Sequence, residues 1–291
     1  MSTPILLETI PAARAYRAAH RAPIVAFVPT MGALHEGHAS LFAQARALAG
    51  KDGLVLASIF VNPTQFGPTE DFSRYPRTLD ADLAILQKEG CDAAFIPTAQ
   101  EMYPSDSSLS TQHSALSTSV DPGPLGAILE GTIRPTHFRG VCTVVAKLLH
   151  ILTPTHMLMG QKDFQQQLIL RRMTVDLNIP TEIITCPTIR EPDGLALSSR
   201  NRYLTPEQRA QAVAISQALT WGVNEAAKGA LPSALETGIA LRIADAGLQP
   251  QYVAAAHRQT LQSLPAIIPG NTVLLVAAKC GTTRLIDNML V

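Results

Sequence analysis

The chain has 291 residues, enough for one large or two modest domains. Apolar residues make up 46% and charged residues 16%, so a sizeable core is available and global disorder is excluded. Lys plus Arg and Asp plus Glu number 23 each, which leaves no basic field for nucleic acid and no polybasic segment for a membrane surface.

Cys91, Cys142, Cys186 and Cys280 are scattered, form no Cys-x-x-Cys and sit in apolar contexts. Buried thiols are expected there rather than disulfides or a zinc cluster. The first ten residues lack a basic start followed by a long apolar run, and no apolar stretch approaches the roughly 18 residues of a membrane span. The expectation is a soluble cytoplasmic protein.

Residues 12–22 predict a short helix and the apolar run 24–28 a first buried strand. Next comes Pro29-Thr30-Met31-Gly32-Ala33-Leu34-His35-Glu36-Gly37-His38, which leads into a helix over 39–49. That helix carries Leu41, Phe42, Ala45 and Leu48 at helical spacing and is closed by Gly50. Two imidazoles three residues apart fall on one face of a first helical turn. Gly32 and Gly37 let a ligand approach the backbone, and the helix start supplies unpaired N–H donors and a positive dipole end. Such a place suits phosphate groups. Two other readings stay open on these residues. His in this position is often only structural, and a His pair also binds zinc, although the usual helical spacing for zinc is i, i+4.

A second buried strand is expected over 53–61, a helix over 80–88 stopped by Gly90, and a third strand over 91–96. Alternating strands and helices predict an α/β parallel sheet covered on both faces, with ligands beyond the carboxyl ends of the strands. The loop after the second strand runs Asn62-Pro63-Thr64-Gln65-Phe66-Gly67 and on to Arg74-Tyr75-Pro76-Arg77-Thr78. Gln65 both donates and accepts, which suits a ligand bearing hydroxyl and carboxylate groups; an ordinary polar turn residue is the other reading. The Ser/Thr-rich residues 105–120 predict an irregular crossing.

The loop 129–140 leads into an apolar helix over 141–152, and its Arg134 and Arg139 are open to phosphate or to solvent. A short strand over 157–159 ends at Gly160-Gln161-Lys162-Asp163, followed by a helix over 164–177 that carries Gln166. Lys162 puts a point charge where a nucleotide phosphate would lie. A strand over 181–186 precedes an Asp193-Gly194 turn and the row Leu197-Ser198-Ser199-Arg200-Asn201. That row reads as a helix cap or as a triphosphate clamp. Thr205-Pro206 opens helices near 206–227 and 232–246, followed by strands over 251–255 and 272–278. The predicted domains are 1–187 and a smaller α+β domain over 188–291, in which His257 is structural.

Five separated blocks share one pattern: "PTMGALHEGH", "SIFVNPTQF…RYPRT", "LEG…RPTHFRGV", "GQKDFQQ" and "REPDGLALSSRN", with "RLIDN" near the end. On them the sequence resembles the pantoate–β-alanine ligases, or pantothenate synthetases. The resemblance implies a Rossmann-like nucleotidyl-transferase domain binding ATP and pantoate, a C-terminal lid domain and a homodimer, with ATP, Mg²⁺, (R)-pantoate and β-alanine as ligands. It implies ATP contacts at Met31, Gly32, Ala33, Leu34, His35, Glu36, Gly37 and His38, with His38 catalytic and His35 its companion. Further ATP contacts are implied at Gly160, Gln161, Lys162, Asp163, Ile189, Leu197, Ser198, Ser199 and Arg200, with Lys162 also catalytic. Gln65 and Gln166 would hold pantoate, and Gln65 would also meet β-alanine. Gln161 stands where the family usually has Glu, and Leu197 where Met is common. Two rivals are a nucleotidyltransferase acting on a phosphorylated acceptor and a catalytically silent nucleotide-binding module. Turnover without β-alanine marks the first, and ATP binding without pantoate-dependent pyrophosphate exchange marks the second.

Overall fold

The computed structural model describes residues 3–68, 70–104 and 118–291. Most of the Ser/Thr-rich stretch predicted as an irregular crossing, residues 105–117, lies outside them. The chain divides into two units, Met1–Met159 with Gln166–Cys186, and Gly160–Gln165 with Pro187–Val291.

The first unit is built on a six-stranded sheet. In chain order its elements are β1 (Ile5–Leu7), α1 (Ile10–Ala19), β2 (Val25–Thr30), α2 (Glu36–Ala49), β3 (Leu54–Ile59), α3 (Leu79–Lys88) and β4 (Ala93–Phe95). The short helices α4 (Ala99–Met102) and α5 (Glu130–Ile133) precede α6 (His137–Leu152), β5 (His156–Gly160), α7 (Phe164–Asp176) and β6 (Glu182–Cys186). The strand order is β1-β4-β3-β2-β5-β6, and the pairs β1/β4, β4/β3, β3/β2 and β2/β5 run parallel.

Alternation along β2 shows why its sequence is apolar throughout. Val25 and Phe27 join Leu56, Phe95 and the α6 residues Val141, Val145 and Leu148 in one core. Ala26 and Val28 face the other way, with Val55, Ala57, Leu41, Phe42 and Leu86. A strand covered on both faces has no polar side to show. Because β2 and β3 are parallel, the segments leaving them, 31–35 and 60–65, emerge at one edge of the sheet.

The second unit contains a one-turn 3₁₀ helix at Gln161–Asp163, a second over Ser199–Tyr203, and helices α8 (Pro206–Ala212), α9 (Ala214–Ala227) and α10 (Pro232–Asp245). Strands β7 (Gln249–His257), β8 (Thr272–Cys280) and β9 (Thr283–Leu290) form an antiparallel sheet in that order. Ile215, Leu219, Leu235, Ile239 and Ile243 pack on Leu274 and Val276 of β8.

Several sequence expectations are adjusted. β1 and β9 were not predicted. The helix near 206–227 is two helices that meet at Val213. Helix α2 begins at Glu36 rather than Ala39, because His35 caps it. Residues 160–165, placed by sequence in the first domain, belong to the second unit, where Asn288 of β9 bonds the backbone of Gln161 and Lys162. All four cysteines are free and buried. No helix among the described residues is long and apolar enough to cross a membrane.

Candidate active site

In the first unit the segment leaving β2 is shaped by three anchors. Thr30 Oγ1 donates to Ser58 O at 2.7 Å and accepts from Gly32 N at 3.2 Å. Gly32 turns the chain with φ +79°, and a Cβ there would stand 2.9 Å from Asp82 Oδ2. Asp82, buried on α3, accepts from Ala33 N at 3.0 Å, Leu34 N at 2.8 Å and Thr78 Oγ1 at 3.1 Å. A carboxylate holding two backbone N–H groups makes charge-assisted bonds, roughly twice as strong as neutral ones.

The turn delivers His35 to the N-cap of α2. His35 Nδ1 accepts from Gly37 N at 3.1 Å, and His38 Nδ1 accepts from His35 N at 3.4 Å. The two side chains thus close a reciprocal capping box with imidazoles in place of the usual Ser and Glu. Their rings stand 4.2 Å apart. A ring nitrogen that accepts from backbone carries no proton, so in each neutral ring the proton sits on Nε2. The cap therefore presets both imidazoles as Nε2–H donors at the positive end of α2.

Gln65 ends a 3₁₀ turn, Pro63–Gln65, capped by Asn62, whose Oδ1 accepts from Thr64 N at 3.3 Å. Tyr103 Oη donates to the same Oδ1 at 2.7 Å, and Asn62 Nδ2 reaches Gln65 Oε1 at 3.2 Å. Gln65 Nε2 points at Met31 Sδ, 2.9 Å away. A thioether is a weak acceptor, so a ligand oxygen replaces it at small cost.

Behind Gln65 stands the "RPTHFRG" block. His137 Nδ1 donates to Gln65 O at 2.9 Å, and Arg134 Nη2 approaches the same carbonyl at 3.4 Å. Burial first, and the Arg134 guanidinium second, push His137 down to about 4, so it is a neutral donor at physiological pH. Arg134 also forms a two-pronged pair with Glu70 at 2.8 and 2.6 Å. Arg139 pairs with Asp121 at 3.2 Å. Both guanidiniums left open to phosphate by sequence are thus paired with carboxylates. Gly140 lies directly under the 3₁₀ turn, where a Cβ would fall 2.3 Å from Thr64 O. Gln166 lies in the first turn of α7, in the first unit.

The second unit gathers the other set. Asn288 Nδ2 donates to Gln161 O and Lys162 O at 2.9 and 3.0 Å. Lys162, with 20% of its side chain exposed, has Asp163 Oδ1 4.0 Å from Nζ. Leu197 N donates to Ile189 O at 3.0 Å, and Arg190 is bridged to Ala196, so Ile189 and Leu197 are neighbours across a hairpin turned at Asp193-Gly194. Ser198 then caps the 3₁₀ helix that carries Ser199 and Arg200, accepting from Arg200 N at 3.3 Å. The structure thus brings Met31–His38 together with Gln65 in one unit, and Gln161–Asp163 with Ile189 and Leu197–Arg200 in the other.

Sequence reasoning missed Asp82, His137 and Asn288 as supports. Asp82 and Asn288 lie on elements distant in sequence from the segments they hold, and His137 stood in a quoted block without a role. Burial pushes Cys91 and Cys142 up to about 12 and Cys186 to about 11, which removes them as nucleophiles. Among the described residues no three His, Cys, Asp or Glu side chains gather to hold a metal.

A family model described as pantoate-beta-alanine ligase matches residues 5–290. The pantothenate synthetase of Acidothermus cellulolyticus is 50% identical over 289 residues, 98% of this chain and 91% of that protein. The crystal structure of pantothenate synthetase from Thermus thermophilus superposes with a TM-score of 0.89 at 41% identity, covering 98% of both chains. That of pantoate-beta-alanine ligase from Francisella tularensis, complexed with beta-gamma ATP and beta-alanine, gives a TM-score of 0.80 at 35% identity over 99% of this chain and 97% of that one. With its model matched from β1 to the end of β9, the chain belongs to the pantoate–β-alanine ligase family.

Proposed function

We propose that this enzyme joins (R)-pantoate to β-alanine at the expense of ATP, through a pantoyl adenylate, as a cytoplasmic homodimer. The observation that carries the reading is the unbroken family match across residues 5–290, with relatives near half identity over almost the whole chain. The ligands in the Francisella tularensis complex, a nucleotide and β-alanine, agree with it. Four free, buried cysteines suit a reducing compartment.

A carboxylate resists attack by an amine, because it is negatively charged and oxide is a poor leaving group. In the proposed first step a pantoate carboxylate oxygen attacks the α-phosphorus, and the bond to the β-phosphate oxygen breaks. Pyrophosphate leaves. In the second, the neutral amine of β-alanine attacks the acyl carbon, the amine gives up a proton, and AMP leaves with the acyl-oxygen electron pair. Phosphoryl transfer asks mainly for positioning and charge stabilisation. Holding pantoate in line with the α-phosphate supplies about 7–11 kcal/mol of the barrier in well-oriented systems.

The roles follow the local chemistry. His35 and His38, preset as Nε2–H donors, meet phosphate oxygens. Lys162, Ser198, Ser199 and Arg200 add charge and donors as negative charge shifts toward pyrophosphate. The backbone of Met31–Leu34 and of Gly160–Asp163, with Ile189 and Leu197, completes the nucleotide contacts. Gln65 exchanges its thioether partner for pantoate or β-alanine oxygens, and Gln166 holds pantoate. The second unit acts as a lid, which protects an easily hydrolysed anhydride from water. The described residues offer no protein-only cage for Mg²⁺, but the ion commonly rides on phosphates with waters and one or two carboxylates, and Asp163 beside Lys162 fits that use. Bound there, Mg²⁺ would neutralise triphosphate charge.

Oxygen-18 transfer tests the reading. With both pantoate carboxylate oxygens labelled, AMP is expected to leave with one labelled oxygen and pantothenate to retain the other at its amide carbonyl. Unlabelled AMP, or label in pyrophosphate, would rule out the adenylate.

A further inference from the structure

The "RLIDN" block has no role in the mechanism above, yet Asp287 and Asn288 are 4% and 1% exposed in the middle of β9. We propose that this pair positions the two ATP-contacting segments of the second unit, and that Asn288 sets the placement of Lys162. The inference rests on the reading of Lys162 as an ATP contact.

Asn288 uses its whole side-chain amide. Both Nδ2 hydrogens are directed at carbonyls, Gln161 O at 2.9 Å and Lys162 O at 3.0 Å. This fixes the amide's orientation, since the oxygen in that place would face two acceptors. Asn288 Oδ1 is then turned to Gln161, and Gln161 Nε2 donates to it at 3.1 Å. The amide at 161 therefore completes a ring of satisfied groups. A carboxylate there would set acceptor against acceptor. Residues 161–163 form only a single 3₁₀ turn between a strand and a helix, too short to fix its own carbonyls. Asn288 is the external tie that such a turn needs.

Asp287 holds the second segment. Its carboxylate takes Arg190 Nη1 at 2.6 Å and Nη2 at 2.9 Å, and its Oδ1 also accepts from Asn288 N at 2.8 Å. Arg190 Nη1 adds Gly194 O at 3.1 Å, closing the hairpin that joins Ile189 to Leu197. Two consecutive residues of one strand thus fix Gln161–Lys162 on one side and Ile189–Leu197 on the other. A fork-to-carboxylate pair and a two-carbonyl amide are both directional, so they set geometry as well as proximity. A displacement of 1 Å at a site that works by positioning costs up to about 10²-fold.

The test is Asn288→Asp in the full-length enzyme. The side chain keeps its shape, but an acceptor now faces the carbonyls of Gln161 and Lys162. The expected result is a folded protein in which the KM for ATP in pantoate-dependent pyrophosphate exchange rises, or kcat falls, by about 10-fold or more, while the KM for pantoate stays within about 2-fold. In a Lys162→Ala background the same change is expected to cost clearly less than in the wild-type enzyme, because much of its effect runs through Lys162. Asn288→Ala removes the donors without placing charge among carbonyls. Should the Asp variant not fold, the Ala variant is expected to show the same ATP-selective loss. Wild-type ATP kinetics in the Asn288 variants beside a crippled Lys162→Ala would overturn this inference alone, as would a full-sized further loss in the Lys162→Ala background. Wild-type kinetics in Lys162→Ala itself would overturn the reading of Lys162, and this inference with it.

Discussion

At the start of α2, His35 and His38 each use Nδ1 as an acceptor for a backbone N–H. Structural and functional readings of this pair are therefore compatible, because the capping that orders the helix also chooses the tautomer that donates from Nε2. His38→Ala removes one half of the capping box together with the donor, and is expected to lower single-turnover adenylation by about 10²–10³-fold. His38→Gln restores an N–H near the Nε2 position and is expected to recover part of that loss. A rapid-quench assay of pyrophosphate release decides the matter, and full activity in His38→Ala would remove this residue from the mechanism. His137 is a different kind of histidine. Its imidazole is buried and held neutral, and it works as a brace for the Gln65 carbonyl. The letters of the sequence do not distinguish the two, since the difference lies in what surrounds each ring.

The 3₁₀ turn Pro63–Gln65 stands on α6 with backbone touching backbone, and Gly140 is the point of contact. Only a residue without a Cβ lets Thr64 O come so close. Gly140→Ala is expected to push the turn away, with a stability loss of about 1–3 kcal/mol and a rise in the KM for pantoate that exceeds the rise for ATP. Denaturant melts and substrate kinetics together check this, and equal rises in both KM values would mean that the turn does not carry the pantoate contact. Element by element, legibility followed burial. β2 and β3 were readable because both faces are covered and their runs are apolar without a break. β1 escaped because it is a three-residue edge strand with Ile5 and Leu6 exposed. β9 escaped because Arg284, Asp287 and Asn288 interrupt its apolar pattern, and the last two are the residues that hold other segments. The joint at Val213 was hidden because the apolar pattern continues through it.

Across the whole molecule, the residues proposed to touch ligands are easier to read than those that hold them. Gly-rich turns, a paired His, a Lys after a strand and a Ser-Ser-Arg row are local patterns, and their blocks carried the family resemblance. The supports are not local. Asp82 lies 49 and 48 positions from the amides it accepts, and Asn288 lies 127 and 126 positions from the carbonyls it fixes. Such pairs exist only once the fold has brought the elements together. Each unit orders its own proposed ligand-contacting segments through its own hydrogen bonds, Asp82 and the His cap in one and Asp287–Asn288 in the other.

The central claim is that ATP is used to prime the acid before the amine takes part. Exchange of labelled pyrophosphate into ATP, measured without β-alanine, tests it most directly. Exchange is expected to depend on pantoate, and AMP is expected to be released in equal amount to pantothenate once β-alanine is added. Exchange that proceeds equally well without pantoate, or pantothenate formed at full rate with no exchange at all, would contradict the account.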